Sequence, residues 1–201
     1  MLATNKTSSL VVDTLHEQAR GRNIAVLSLY CDYQARKDQS AVNMIGSLLR
    51  QITVGAKRVP GEIKNAFEES RKEGGGGLRL RDMMKLFVKT ISSIERIYIC
   101  VDAVDELLPQ DRSDLLRALR EIVQDASNTR LFLTGRPYVR GELDKHLTKR
   151  AYSIRIIANR GDIARYLNQK MDDDNARDPD LMTEKLKNDI MKTILEKASE
   201  M

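Results

Sequence analysis

The chain has no tryptophan, only three phenylalanines and only six tyrosines among its 201 residues. So few rings leave little material for the stacking platforms on which single-stranded nucleic acids lie. It has two cysteines, Cys31 and Cys100. That is too few for a disulfide framework, and both fall at or near apolar runs that read as buried strands, so a reduced, cytoplasmic setting is expected. No apolar run approaches the roughly 20 residues a membrane-spanning helix needs, and the N-terminal stretch lacks the apolar core of a secretory signal. No membrane is therefore expected as a partner. An excess of one sign of charge is also lacking: 34 Lys and Arg stand against 29 Asp and Glu, a net charge of +5. The two signs are interleaved almost everywhere, which describes a solvated mixed surface rather than a basic stripe, so nucleic acid is not expected either.

What is present centres on Arg96 to Leu107, RIYICVDAVDEL. Ile97 to Val101 is a short, continuous apolar run of β-formers, the pattern of a strand covered on both faces in a parallel sheet. It stops on Asp102, Asp105 and Glu106. Carboxylates at the C-terminal end of such a strand sit where open α/β sheets bind ligands. Helix capping could account for one of them. It does not account for three within five residues.

The flanking segments alternate between the two periods. Thr7 to Arg20 reads as a helix capped by Thr7 or Ser8, with Leu10, Val11, Thr14 and Leu15 on one face, and Gly21 ends it. Ile24 to Tyr30 reads as a strand. Ser40 caps a helix from Ala41 to about Val54, with Val42, Ile45, Leu48, Leu49 and Ile52 as its stripe. Another helix follows Pro60, using Ile63, Ala66 and Phe67. Gly74 to Gly77 reads as a flexible hinge; it lacks the Lys-Ser/Thr pair of a phosphate loop. Leu80 to Ile94 reads as helix, then the central strand, then a helix from Pro109 and Asp111 to about Asp125. Arg130 to Thr134 is a third strand, Tyr138 to Leu147 a short helix, and Tyr152 to Ile157 a fourth strand. Asp162 to Met171 is helical, 172–180 a polar loop, and Leu181 onward a last helix. Strands alternating with helices predict βαβ units and a mainly parallel sheet. One domain spans 1–201, with 7–73 and 78–201 joined by the glycine stretch 74–77.

Polar residues follow each of the first three strands: Cys31, Asp32 and Tyr33; Asp102, Asp105 and Glu106; Thr134 and Arg136. In a parallel sheet these ends share one edge. A carboxylate there can hold Mg²⁺ through water, a second can polarise an attacking water, and an arginine on the next strand can sense a phosphate. Arg136 can also be simply a solvated turn residue before Pro137.

Asp102-Ala-Val-Asp105-Glu106 after an apolar strand resembles the extended Walker B motif of NACHT-type signalling NTPases, members of the STAND class of P-loop NTPases. Leu131-Phe-Leu-Thr-Gly-Arg136-Pro137 resembles their sensor 1 strand, with Gly135 where serine is usual. Ser9 to Leu15 is similar to the helix after the phosphate loop. Leu29 to Tyr33 and Asn43 to Gln51 look like the next strand and helix, and Asp162 to Leu167 looks like the helix after the fourth strand. The likeness covers roughly residues 6 to 201. It points to NACHT domains of fungal NLR-like proteins with N-terminal portions of the nephrocystin-3 type. It implies a three-layer αβα P-loop NTPase-like fold, Mg²⁺ and ATP or GTP as ligands, and other NACHT- or NLR-type protomers as partners. Ankyrin or WD40 repeats often follow such domains. The roles implied are Asp102 on the metal, Glu106 activating water, Asp105 supporting it and Arg136 on the γ-phosphate.

The family's phosphate loop, Gly-x-x-x-x-Gly-Lys-Thr/Ser, is not matched, because no glycine occurs before Gly21. Lys6 and Thr7 take the Lys-Thr positions, as nucleotide contacts, only if about two residues are deleted before Ser8. Without glycines the backbone N–H groups cannot close around phosphates. The sequence therefore predicts a truncated domain missing its first, central strand, with negligible turnover. A non-catalytic oligomerisation module on the same scaffold is the alternative.

Overall fold

The computed structural model describes residues 2–55, 61–72, 77–147, 151–156, 159–177 and 183–198. Its contacts divide the chain into two units, Met1–Ala151 and Tyr152–Met201. The first unit holds a sheet of three parallel strands, β1 (Ile24–Tyr30), β2 (Arg96–Asp102) and β3 (Thr129–Leu133), in the order β1-β2-β3. The register runs from Ile24 opposite Arg96 to Tyr30 opposite Asp102, and from Ile97 opposite Thr129 to Val101 opposite Leu133. All three C-terminal ends lie along one edge, as the sequence predicts.

Side chains alternate across the sheet. Leu27, Leu29, Ile97, Ile99 and Val101 face one layer and are buried with residues of α2 (Ala41–Gly55), α4 (Leu80–Ile91) and α5 (Pro109–Asp125). Ile45, Leu48 and Leu49 come from α2, Phe87 and Ile91 from α4, and Leu115, Leu119 and Ile122 from α5. Ser40 caps α2 as expected, its hydroxyl accepting the Asn43 N–H at 3.3 Å, and Pro109 opens α5. The opposite face of β1 and β2 meets α1 (Leu2–Ala19), where Cys100 and Val12 are buried. The shorter helices are α3 (Gly61–Lys72) and α6 (Arg140–His146).

Several elements depart from the sequence reading. Helix α1 begins at Leu2, not Thr7, and no glycine or proline interrupts Leu2 to Thr7. Among its described side chains Ser8 and Val12 are buried, and Leu10 is 67% exposed. Helix α4 stops at Ile91, three residues early, because the Asn128 amide takes the carbonyls of Ile91 and Ile94 at 3.1 and 2.7 Å. Phe67 on α3 is exposed, leaving Ile63 as that helix's buried residue. Of the glycine stretch only Gly77 lies within the described residues, at φ +75°.

The expected fourth strand does not form among the described residues. Ala151–Ile156 has no ladder partner, and Ile157 lies outside the described residues. Tyr152, Ile154 and Ile156 are 100%, 83% and 71% exposed. In the second unit α7 (Arg160–Arg177) continues through residues 172–177 of the expected polar loop, 178–180 lying outside the described residues, and packs on α8 (Glu184–Ala198). Asn159 caps α7, and Lys187 of α8 reaches Asp172 at 2.8 Å, which holds that run in helix.

The two sheet edges differ. At β1 the Gln51 amide lies against the strand: its oxygen accepts the Ser28 N–H at 2.9 Å and its nitrogen donates to the Ser28 carbonyl at 2.8 Å. A side chain thus substitutes for a neighbouring strand and blunts that edge. No comparable seal covers β3 among the described residues. There the N–H groups of Leu131 and Leu133 point outward, since Arg130, Phe132 and Thr134 face β2.

Candidate functional site

The site is built where β2 and β3 end. Alternation along β2 puts Tyr98, Cys100 and Asp102 on the α1 side of the sheet. Asp102 is 5% exposed. Its Oδ1 accepts two hydroxyls, Ser8 Oγ of α1 and Thr134 Oγ1 after β3, each at 2.5 Å. A buried carboxylate needs such donors, and bonds of this kind to a charged acceptor are the stronger ones. Thr134 works as a clasp: its Oγ1 also accepts the Ala103 N–H at 2.9 Å. Its N–H donates to the Val101 carbonyl and its own carbonyl accepts from Val104, both at 2.9 Å.

Beyond Asp102 the chain turns sharply. Ala103 has φ 55°, the left-handed conformation that costs a residue with a Cβ. The turn feeds a short 3₁₀ segment, Val104–Glu106. It carries Asp105 under the loop after β3, where its Oδ1 accepts the Arg136 N–H at 3.2 Å and its Oδ2 faces Arg136 Nε at 3.4 Å. The Tyr138 hydroxyl donates to the Asp105 carbonyl at 3.2 Å. Glu106 is half-buried; its N–H donates to the Ala103 carbonyl at 2.9 Å, and its carboxylate has no hydrogen-bond or ion-pair partner among the described residues.

Gly135 is required by space. A Cβ there would lie 2.9 Å from Val104 Cγ2 and 3.1 Å from Val139 Cγ2, and both valines are buried. Behind this corner Arg112 of α5 pairs with Glu142 of α6 at 2.7 Å and donates to the Leu107 carbonyl at 3.3 Å. The loop bearing the carboxylates is thus tied to two helices.

Cys31 follows β1 and joins the same edge, its N–H donating to the Asp102 carbonyl at 3.0 Å. Burial, and then the charges of Asp102, Asp105 and Glu106, push its thiol up to about 12. Cys100 is pushed up to about 11 by burial. Both thiols stay protonated at neutral pH and are poor nucleophiles.

Asp102, Asp105, Glu106 and Arg136 are therefore brought to one corner. Lys6 and Thr7 lie on the α1 backbone, and their side chains fall outside the described residues. The sequence reading gave Ser8 no role beyond capping. The available signal was its spacing of four from Val12, which puts both on one helical face. Among the described residues no group of three or more His, Cys, Asp or Glu is placed to hold a metal ion.

A three-stranded parallel sheet flanked by helices, with carboxylates at its C-terminal edge, defines an αβα domain of P-loop-like type. The family model for the N-terminal region of nephrocystin 3 matches residues 6–136, which is more than half of the chain and lies wholly within the first unit. The chain belongs to that family. Comparison with curated proteins gave no match. No helix among the described residues is long and apolar enough to cross a membrane.

Proposed function

We propose that this chain is part of a NACHT-type domain of an NLR-like protein, of the fungal kind, and that the residues present turn over no nucleotide by themselves. It carries Walker B and sensor 1 elements in Asp102, Asp105, Glu106 and Arg136, and no glycine stands before Gly21 in this sequence. One observation carries this reading: two of the carboxylates and the arginine a nucleotide site would use are already engaged by neighbours. Asp102 is held by Ser8 and Thr134, and Asp105 by Arg136. An arginine paired with a neighbouring carboxylate, and a carboxylate whose Oδ1 already accepts two hydroxyls, are less free to take a phosphate or Mg²⁺. A glycine-free helix α1 offers no nest of N–H groups for phosphates.

Lys6 and Thr7, the nucleotide contacts the resemblance suggests, then have no phosphate to hold. Asp102 serves as a structural carboxylate instead of a metal ligand, and Glu106 activates no water. The protein works through contacts with other protomers of its type, as a non-catalytic interaction module in the cytoplasm. The open β3 edge favours that role.

The test is a titration of the purified chain with fluorescent ATP and GTP, with and without Mg²⁺, beside Asp102→Asn. The expected result is no saturation up to millimolar nucleotide. Micromolar, Mg²⁺-dependent binding that Asp102→Asn abolishes would overturn the reading.

A further inference from the structure

We infer that a second copy of this chain docks on the free edge of β3, and that its docking element is the unpaired segment 151–156. This deepens, and rests on, the interaction-module reading above.

The molecule carries an unpaired edge and an unpaired strand-like segment at once. The β1 edge is closed at Ser28 by the Gln51 amide, whereas Leu131 and Leu133 on β3 present N–H groups with no backbone partner among the described residues. A flat edge left open is a template for another chain. The segment 151–156 supplies what that edge lacks. It enters no ladder, and its sequence alternates large apolar Tyr152, Ile154 and Ile156 with polar Ser153 and Arg155. The three large apolar side chains are almost wholly exposed. Tyr and Ile are strand formers that gain most when packed against cross-strand neighbours.

Addition to the edge would line the apolar side chains up beside Leu131 and Leu133, which pack on the buried core. Ser153 and Arg155 would then fall on the side of Arg130 and Phe132. Slipping by one residue would turn Tyr152, Ile154 and Ile156 away from the core, so the alternation fixes the register. The segment's six residues match the five of β3 in length. Main-chain hydrogen bonds would provide the affinity and the alternating side chains the specificity, as in other cases of strand addition. Each copy has one edge and one segment, so exchange can be reciprocal.

The experiment is sedimentation of the full chain over a range from micromolar to hundreds of micromolar, with Ile154→Pro, Ile154→Lys and a synthetic peptide of residues 151–157. Proline removes the central N–H of an exposed segment and leaves the core of the first unit untouched. The expected result is a concentration-dependent dimer, weakened at least about tenfold by either substitution and competed by the peptide. Hydrogen exchange would show Leu131 and Leu133 amides protected only in the dimer. A dimer indifferent to both substitutions and to the peptide would overturn this surface and leave the interaction-module reading standing. A chain that stays monomeric at every concentration would overturn both. A monomer with protected Leu131 and Leu133 amides, released by Ile154→Pro, would mean that the segment pairs within its own chain.

Discussion

Removing the Ser8 hydroxyl is the sharpest probe of how the sheet end is held. Ser8 is buried and donates to Asp102 Oδ1, which is itself 5% exposed and shared with Thr134. Ser8→Ala deletes one of two donors and leaves a carboxylate that water reaches poorly. Hydrogen bonds to charged groups contribute about 1.5–3 kcal/mol net, so the expected loss is about 2 kcal/mol. For a chain of this size that corresponds to a fall in Tm of about 4–8 °C. With no tryptophan to report, far-UV circular dichroism in a urea titration is the suitable assay. The companion variant is Asp102→Asn, whose carbonyl still accepts from Ser8 but without charge. Charged pairs are roughly twice as strong as neutral ones, so the double-mutant cycle should return a coupling of about 1 kcal/mol. A Ser8→Ala variant within about 0.5 kcal/mol of the parent, with no coupling to Asp102, would refute the claim that this bond fastens α1 to β2. An Asp102→Asn variant more stable than the parent would do more. It would mean the carboxylate is a poorly satisfied charge, as expected of a group kept for a ligand.

Two other substitutions and a pH effect bear on the same corner. Gly135→Ala drives a Cβ to 2.9 Å from the buried Val104 and should cost about 2 kcal/mol by overpacking, read as a lower urea midpoint; a neutral result would mean the loop after β3 is slack. Gly135→Ser should cost no less, although serine is the usual residue at this place in the motif it resembles. Cys31 and Cys100 are raised from 9.0 to about 12 and about 11. The folded state therefore holds their protons where the unfolded state releases them. Their contribution to stability is complete below pH 9 and falls as pH rises from about 9 toward 11–12. Cys31→Ser should flatten that alkaline slope. Neither thiol should react with iodoacetamide at pH 8 until the chain unfolds, and fast native-state alkylation of Cys31 would contradict its burial.

The parts of this fold legible in the sequence are those set by short-range pattern. Ile24–Tyr30 and Pro109–Asp125 come out at the expected bounds because an apolar run of β-formers, or a proline at N1 followed by leucines at helical spacing, satisfies its own geometry locally. The gathering of Asp102, Asp105 and Arg136 was legible too, because parallel strands must end on one edge. What the sequence did not reveal was how those groups would be paired. The partner of Asp102 is 94 residues away on α1. No periodicity announces a hydroxyl aimed across a sheet. The face of α1 was misread for a related reason: Leu10 looks apolar enough to bury, yet the helix turns Ser8 and Val12 inward. A buried carboxylate in need of donors outweighs the transfer energy of one leucine.

The segment from Tyr152 onward shows where pattern alone runs out. Its alternation and composition are those of a strand, and by propensity it is as good as β3. A strand exists only as one side of a ladder, however, because its N–H and C=O groups are satisfied by a neighbour and not by itself. Helix α7 went the other way. A run of aspartates with poor propensity stayed helical, since a helix closes its hydrogen bonds internally and needed only Asn159 at its start and Lys187 against Asp172. Local sequence can therefore specify a helix outright, but it can specify a strand only conditionally on a partner edge. Among the described strands β1 has its outer edge covered at Ser28 by the Gln51 amide, and β3 has no such cover. That is why the oligomeric state, more than any nucleotide assay, decides what Tyr152, Ile154 and Ile156 are for.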